Sequence, residues 1–186
     1  MTNIVNHFSI LPFINQNKNV PQSEAFFLAS IQQHAGILHK VARMYMDQPE
    51  DREDLHQEMI IQLWKSYPGF KGDSRFSTWM YRVAINTAIT FLRKEQTYKK
   101  QVTYTGIPDA ADEGPPSHKE TQLNAFYKAA QELNPVEKAV IFYFMEGLSH
   151  KEIGQQLGIS EGNARVRLNR TKEKLQTIIK KQGYEF

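Results

Sequence analysis

The sequence predicts an all-α protein: two small helical domains joined by a flexible linker, with a helix-turn-helix in the C-terminal one. Three observations predict it. Apolar residues recur at steps of three and four through most of 24–96 and 122–181, and no strand of consequence can be read anywhere. Asn134 with Glu137, and Ser149 with Glu152, carry the polar-residue-then-Glu spacing of capped helix starts. Residues 101–120 (QVTYTGIPDAADEGPPSHKE) hold Pro108, Pro115, Pro116, Gly106 and Gly114, and no period survives there. A structureless stretch of about 20 residues is foreign to the inside of a compact domain, so it marks a boundary. Its proline content makes it semi-extended rather than a free coil.

The elements follow in order. Residues 1–22 show no clean period and contain Pro12 and Pro21; they read as an extended or weakly ordered arm. Ser23 is the N-cap of a helical stretch with Phe26, Phe27, Ile31, Ile37, Leu38, Val41, Ala42 and Tyr45 on one side and a break near Gly36. A second helix spans about Arg52 to Tyr67. Leu55, Met59, Leu63 and Tyr67, with Ile60 and Trp64, form its apolar face, and Pro68-Gly69 ends it. After the loop PGFKGDSRF, Ser77 or Thr78 caps a third helix to about Gln96. Its buried stripe is Met80, Val83, Ala84, Thr87, Ala88, Phe91 and Leu92. Trp79, Arg82, Asn86, Thr90 and Arg93 fall on the other side.

The second domain opens near Gln122 with a helix to about Leu133. Asn134 at the N-cap, Pro135 at the first turn and Glu137 at N3 start the next, which runs to Met145 and closes at Gly147. Ser149 caps a short helix that Gly158 ends. Ser160 caps a long one that reaches about Lys181.

Composition excludes several classes. The chain has 186 residues, 23 Lys+Arg against 20 Asp+Glu, and a net charge of +3. Mean hydropathy is −0.55, and no apolar run approaches the ~18 residues of a spanning helix. With no cysteine, disulfides, thiolate metal sites and thiol catalysis are out. The opening residues lack a basic stretch followed by an apolar core and a cleavage site, so the expectation is no signal peptide and a soluble cytoplasmic protein. The six histidines show no H-E-x-x-H spacing, and there is no Gly-rich phosphate loop. No catalytic residue, metal, cofactor or small-molecule substrate is therefore expected.

Charge is unevenly placed. Asp47 to Glu58 carries six acids against Arg52 alone, whereas Arg165 to Lys174 carries five cations against Glu173 alone; Arg93 to Lys100 is also basic. Basic stretches suit phosphate, and the acidic one suits a basic protein partner.

The segment LSHKEIGQQLGISEGNARVRLNRTKEKL carries the most information. A short helix with Ile153 and Leu157, a turn with Gly158 and Ile159, and a capped helix with the inner stripe Ala164, Leu168, Thr171 and Leu175 make a helix-turn-helix. At 100° per residue Gly162, Asn163, Val166, Asn169, Arg170 and Glu173 point outward, with Arg165, Arg167 and Lys172 on the flanks. In a major groove Arg suits guanine, Asn suits adenine, Val suits a thymine methyl, and flanking cations reach phosphates.

Two blocks in this order resemble one family. The run D-x-E-D-L-x-Q-E (Asp51 to Glu58), the loop F-K-G-D-S (Phe70 to Ser74) and T-W-M-Y-R-V-A-I-N-T-A (Thr78 to Ala88) resemble region 2 of the bacterial extracytoplasmic-function (ECF) sigma factors. S-E-G-N-A-R-V-R-L-N-R in the last helix resembles their region 4. The resemblance implies a subunit that binds core RNA polymerase, through the β′ clamp helices and the β flap, and directs it to promoters. It divides the chain into an arm (1–22), region 2 (23–100), a linker (101–120) and region 4 (121–186). Asp54, Gln57 and Glu58, with Trp64 as an apolar anchor, are implied to bind polymerase; Asp51 and Glu53 equally suit helix capping and dipole compensation. Phe70, Lys71, Asp73, Ser74, Arg75, Arg82, Asn86, Arg93 and Lys94 are implied to engage the opened −10 element. Opened strand is trapped with pockets, aromatic surfaces and a basic track. Trp79 reads rather as core. Ser160, Asn163, Arg165, Val166, Arg167, Asn169, Arg170 and Lys172 are implied to read the −35 duplex. An anti-sigma factor is implied as a further partner. Asn163-Ala164, where many relatives carry Thr-Val, and Val166, where Ser is frequent, leave the −35 sequence open, and the arm has no counterpart. A response-regulator factor would share the helix-turn-helix, but a receiver needs the βα alternation this N-terminal half lacks.

Overall fold

The structure, a computed structural model, describes residues 23–101 and 118–183, with side chains described for 23–94 and 121–183. The arm 1–22 and nearly all of the linker lie outside the described residues. Those described form eight α-helices, with no strand among them.

Four helices build the first domain: α1 (Glu24–Gln33), α2 (Gly36–Tyr45), α3 (Pro49–Ser66) and α4 (Phe76–Gln101). Ser23 caps α1, its side chain accepting from the Phe26 amide at 3.2 Å. α3 starts three residues earlier than the sequence suggests, because Pro49 occupies its first position, where a missing N–H costs nothing. Glu50 and Asp51 then sit in the first turn, opposite the positive end of the helix dipole. Arg52 ties the start down, donating to the carbonyls of Met46 (3.1 Å) and Asp47 (2.6 Å). A single 3-10 turn (Tyr67–Gly69) ends α3. α4 begins at Phe76, before either proposed cap, and runs on to Gln101.

The second domain has α5 (His118–Gln131), α6 (Pro135–Met145), α7 (His150–Leu157) and α8 (Glu161–Lys181). α5 starts at His118, four residues before the expected Gln122 and inside the stretch read as linker, while the other three starts follow the sequence closely. Both Asn134 and Ser149 form complete capping boxes, with Glu137 and Glu152 reaching back to the cap amides at 2.9 and 2.8 Å. Gly147 and Gly158 end α6 and α7 in left-handed conformation, at φ 83° and 67°.

The predicted stripes are buried: Leu55, Met59, Leu63 and Tyr67 on α3, Met80, Ala84, Thr87 and Ala88 on α4, and Ala164, Leu168, Thr171 and Leu175 on α8. Two further facts escape the stripes. Ile60 and Trp64 are exposed, so only part of the α3 apolar face enters the core. Tyr81 and Ile85, on the flank of the predicted α4 stripe, are buried as well and widen it. Tyr81 is covered by the second domain, its ring 5.5 Å from that of Phe142. The two domains share one continuous apolar cluster rather than hanging apart.

Candidate promoter and polymerase interfaces

On α3, Asp54 and Gln57 are exposed and Glu58 half-buried. Gln62 donates to Glu58 at 2.8 Å, holding that carboxylate beside the helix. One turn on, Trp64 is 47% exposed, with one edge against Phe27 (centroids 5.0 Å, rings at 72°). Ile60 (37%) and Ile61 (45%) lie beside it. An acidic rim beside exposed apolar side chains is the composition of a protein-docking surface, with the charges steering and the aromatic anchoring.

The loop before α4 is built on aromatics. Phe70, Phe76 and Trp79 form a compact trio with centroids 5.0 to 5.6 Å apart, and Tyr67 flanks it. Phe70 is only 6% exposed, so of the implied −10 set it alone is a core residue: its ring anchors the loop and is not free to stack on a base. Trp79 is half-buried in the same cluster, as the sequence reading favoured. What the cluster holds up is the exposed run Lys71, Gly72, Asp73, Ser74 and Arg75, with Gly72 at φ 76° making the turn. Along α4, Arg82, Asn86, Arg93 and Lys94 are all exposed, on a stripe with Thr90. The spacing 82/86/90/93 puts two cations and an amide on one edge of a rigid rod.

In the second domain the turn between α7 and α8 is very tight. A Cβ on Gly154 would lie 2.7 Å from the Ile159 carbonyl oxygen, and the Ile159 amide returns to the Gly154 carbonyl at 2.9 Å. Only glycine admits that approach. Ser160 caps α8 by accepting from the Asn163 amide at 3.2 Å. Beyond the cap Asn163, Arg165, Val166, Arg167, Asn169 and Arg170 are exposed, and Lys172 is half-buried with its ammonium 3.5 Å from the centre of the Phe144 ring. Arg167 donates to Asn163 Oδ1 at 3.2 Å, and Arg165 pairs loosely with Glu161 at 3.5 Å. A groove of about 270 Å³ opens between the N-terminus of α6 and this face, lined by Asn134, Val136, Glu137, Asn163, Val166 and Arg170 among others. The structure thus places an exposed, basic outward face on α8 directly after a tight turn from α7, the arrangement of a helix-turn-helix.

Two family models match the chain in order: sigma-70 region 2 over residues 31–98 and sigma-70 region 4 over residues 123–175. RNA polymerase sigma factor CarQ of Myxococcus xanthus is 33% identical over 132 residues, covering 68% of this chain and 74% of CarQ. The chain belongs to the ECF group of the sigma-70 family. ECF sigma factor SigE of Mycolicibacterium smegmatis is 29% identical over 161 residues, covering 83% of this sigma factor and 62% of SigE. SigG of Mycobacterium tuberculosis is 30% identical over 155 residues, 69% of this chain and 42% of SigG. The match therefore spans less than two thirds of either of those relatives. Among solved structures, the sigma factor RpoE in complex with the anti-sigma factor NepR, from Bartonella quintana, superposes with TM-score 0.68 at 21% identity, over 83% of this chain and 96% of that one. That likeness is one of fold; the region 2 match runs from the end of α1 through most of α4, and the region 4 match from α5 into α8.

Sequence reasoning missed a set of residues at the seam between these regions. Lys40 donates to Glu146 at 2.8 Å, and Tyr81 donates to the other oxygen of the same carboxylate. The Tyr45 hydroxyl donates to the Pro135 carbonyl at 2.9 Å, and Arg43 donates to Asn124 while lying 4.5 Å over the Tyr127 ring. Burial and the adjacent Glu146 carboxylate hold the Tyr81 phenol well above its usual range. A signal was available in α6, where five consecutive residues, Ala139 to Tyr143, are apolar; a helix apolar nearly all round is packed on more than one side.

Proposed function

We propose that this chain is a promoter-specificity subunit: it binds core RNA polymerase, engages the −10 element with region 2 and reads the −35 element with region 4. The observation that carries the reading is the pairing, within one chain, of a basic, exposed α8 face on a glycine-tight helix-turn-helix with an α4 edge of Arg82, Asn86 and Arg93 above a braced loop. Duplex suits the first, and opened strand the second. Asp54, Gln57, Glu58 and Trp64 would meet the β′ clamp helices, and region 4 the β flap. The division is an arm 1–22, region 2 over 23–100, a linker over 101–120 and region 4 over 121–186. Bond making stays with polymerase, so the subunit contributes binding and part of the melting energy and is not itself an enzyme. A subunit that works with polymerase on promoter DNA would act in the cytoplasm. Two solved relatives, RpoE with NepR and CnrH with the cytosolic domain of CnrY, are sigma and anti-sigma pairs or are held by a cytosolic domain, which supports an anti-sigma partner here. Run-off transcription with purified core polymerase on the chain's own upstream region, with footprinting, tests the reading. The expected result is one start site and protection at both elements; unselective initiation would reject it.

A further inference from the structure

We propose that the arm, residues 1–22, docks its apolar stretch Phe8 to Ile14 on the ridge Ile60, Ile61 and Trp64 of α3. In the free chain it would then cover part of the surface that, on the function proposed above, polymerase must reach. Exposure defines the receiving face. Among the described residues, the exposed large apolar side chains of the first domain are Leu28, Ile60, Ile61 and Trp64, all on α1 or α3. Phe27 joins those two helices, its ring 5.0 Å from the rings of Trp64 and Tyr67. Steps of three and four from Gln57 through Ile60 and Ile61 to Trp64 keep these side chains on one ridge. Exposed apolar side chains gathered in this way and rimmed by charge mark a binding surface.

Attachment, length and composition name the occupant. The arm joins the first domain at Ser23, four residues before Phe27, which is about 6 Å along α1 at about 1.5 Å per residue. Phe27 is the residue whose ring meets Trp64. The eight residues 15–22 reach about 27 Å when drawn out. The ridge with its rim, Asp54 to Lys65, is about 16 Å long, so the apolar stretch can be laid anywhere along it. That stretch (FSILPFI) is apolar at Phe8, Ile10, Leu11, Phe13 and Ile14. The arm holds no Asp or Glu, and it carries His7 and Lys18. Exposed Glu53 and Asp54 and half-buried Glu58 rim the ridge. The arm therefore brings apolar surface to apolar surface and sets no like charge against the acidic rim.

A tether makes a weak contact sufficient. A segment held on a short linker meets its site at an effective concentration in the millimolar range, so it occupies a surface that would not retain the same peptide free in solution. Polymerase binds only the uncovered fraction of chains, and its apparent affinity falls by that fraction. It displaces the arm because it binds the uncovered form better than the covered one. The arm thus sets a threshold at the polymerase-docking face, and its apolar residues tune the height of that threshold.

The chain has no cysteine, so Ser9→Cys with Lys65→Cys places two unique spin labels, one on the arm and one next to Trp64. Pulsed EPR on the full chain should give one short, narrow distance population. Phe8→Ser with Leu11→Ser and Phe13→Ser should lengthen and broaden it, and so should core polymerase. A broad distribution with the arm's apolar residues in place, or a short one that the three serines leave unchanged, overturns the proposal. So does a short distance between copies, seen when chains labelled only at Ser9→Cys are mixed with chains labelled only at Lys65→Cys, because the arm would then cover a second copy. In titrations against core polymerase the triple-serine chain should bind about fivefold more tightly, the gain expected if the arm covers about four-fifths of free chains, with promoter selectivity unchanged. Equal affinity overturns the covering role. Failure of both chains to bind polymerase sinks the function proposed above instead, and the distances still decide where the arm lies.

Discussion

At Gly154 a single hydrogen atom decides whether the helix-turn-helix closes. Gly154→Ala would push a methyl group into the Ile159 carbonyl oxygen at 2.7 Å, where backbone faces backbone and neither side gives way easily. The expected cost is about 2–3 kcal/mol, from overpacking at a rigid site, seen as a lower denaturation midpoint with weaker −35 binding. Gly158 differs: nothing lies within 4 Å of its absent Cβ, and only its φ of 67° opposes a side chain, so Gly158→Ala should cost about 1–2 kcal/mol. The sequence marks Gly158 through its place after a capped helix. It does not mark Gly154, because close approach between two segments is set by the angle at which they cross. Tyr81 teaches the same lesson: it flanks the α4 stripe, and the ring that covers it, Phe142, belongs to chain distant in sequence.

Helix α8 was legible in full, from its Ser160 cap to its Lys181 end, because cap, stripe and charge all agree within one continuous segment. Its residues divide by direction. Arg170 lines the groove with Asn163 and Val166, whereas Arg165 lies near Glu161 on the flank. Arg170→Ala should weaken binding to a matched −35 duplex by about 1–3 kcal/mol and relax the preference for the base it meets. Arg165→Ala should weaken matched and mismatched duplexes alike and flatten the salt dependence. Fluorescence anisotropy over a salt series checks both. On α3 the acidic rim of exposed Asp54 and half-buried Glu58 predicts the opposite polarity of partner. Reversing Asp54 and Glu58 to Lys should slow and weaken association with core polymerase, most at low ionic strength, while circular dichroism stays unchanged. An affinity equal to wild type would remove the assignment.

For the molecule as a whole, the sequence reading of two domains was right in content and silent on contact. Capping, periodicity and the proline-rich break each act over a few residues, so they reveal the parts. The seam joins residues such as Lys40 and Glu146, 106 positions apart, and no local pattern records it. One property of the seam is accessible to titration. Burial lowers the Lys138 ammonium to about 8, with Asp47 opposing the shift, whereas in the unfolded chain it returns to the ordinary lysine range of about 10.4. Below about pH 8 both states carry the proton and the folded one bears the desolvation cost. As pH rises from about 8 to about 10.4 the folded state sheds the proton first, so stability should rise across that window. Denaturation midpoints recorded from pH 7.5 to 10 check this, and Lys138→Met should flatten the response. Glu152 acts at the other end: the Ser149 hydroxyl and amide hold its carboxyl below the usual range, so its contribution to stability is present at neutral pH and lost as pH falls through that lowered value.

The shared cluster of Tyr45, Tyr81, Phe142 and Tyr143 also bears on how this chain divides. A cut within the segment joining the two halves would leave each fragment with a bare, sticky flank that its other half normally covers. Such fragments would be poorly soluble when made singly. Made together they would find each other and reassemble, because the complementarity that keeps the intact polypeptide shut belongs to the surfaces and not to the peptide bond between them.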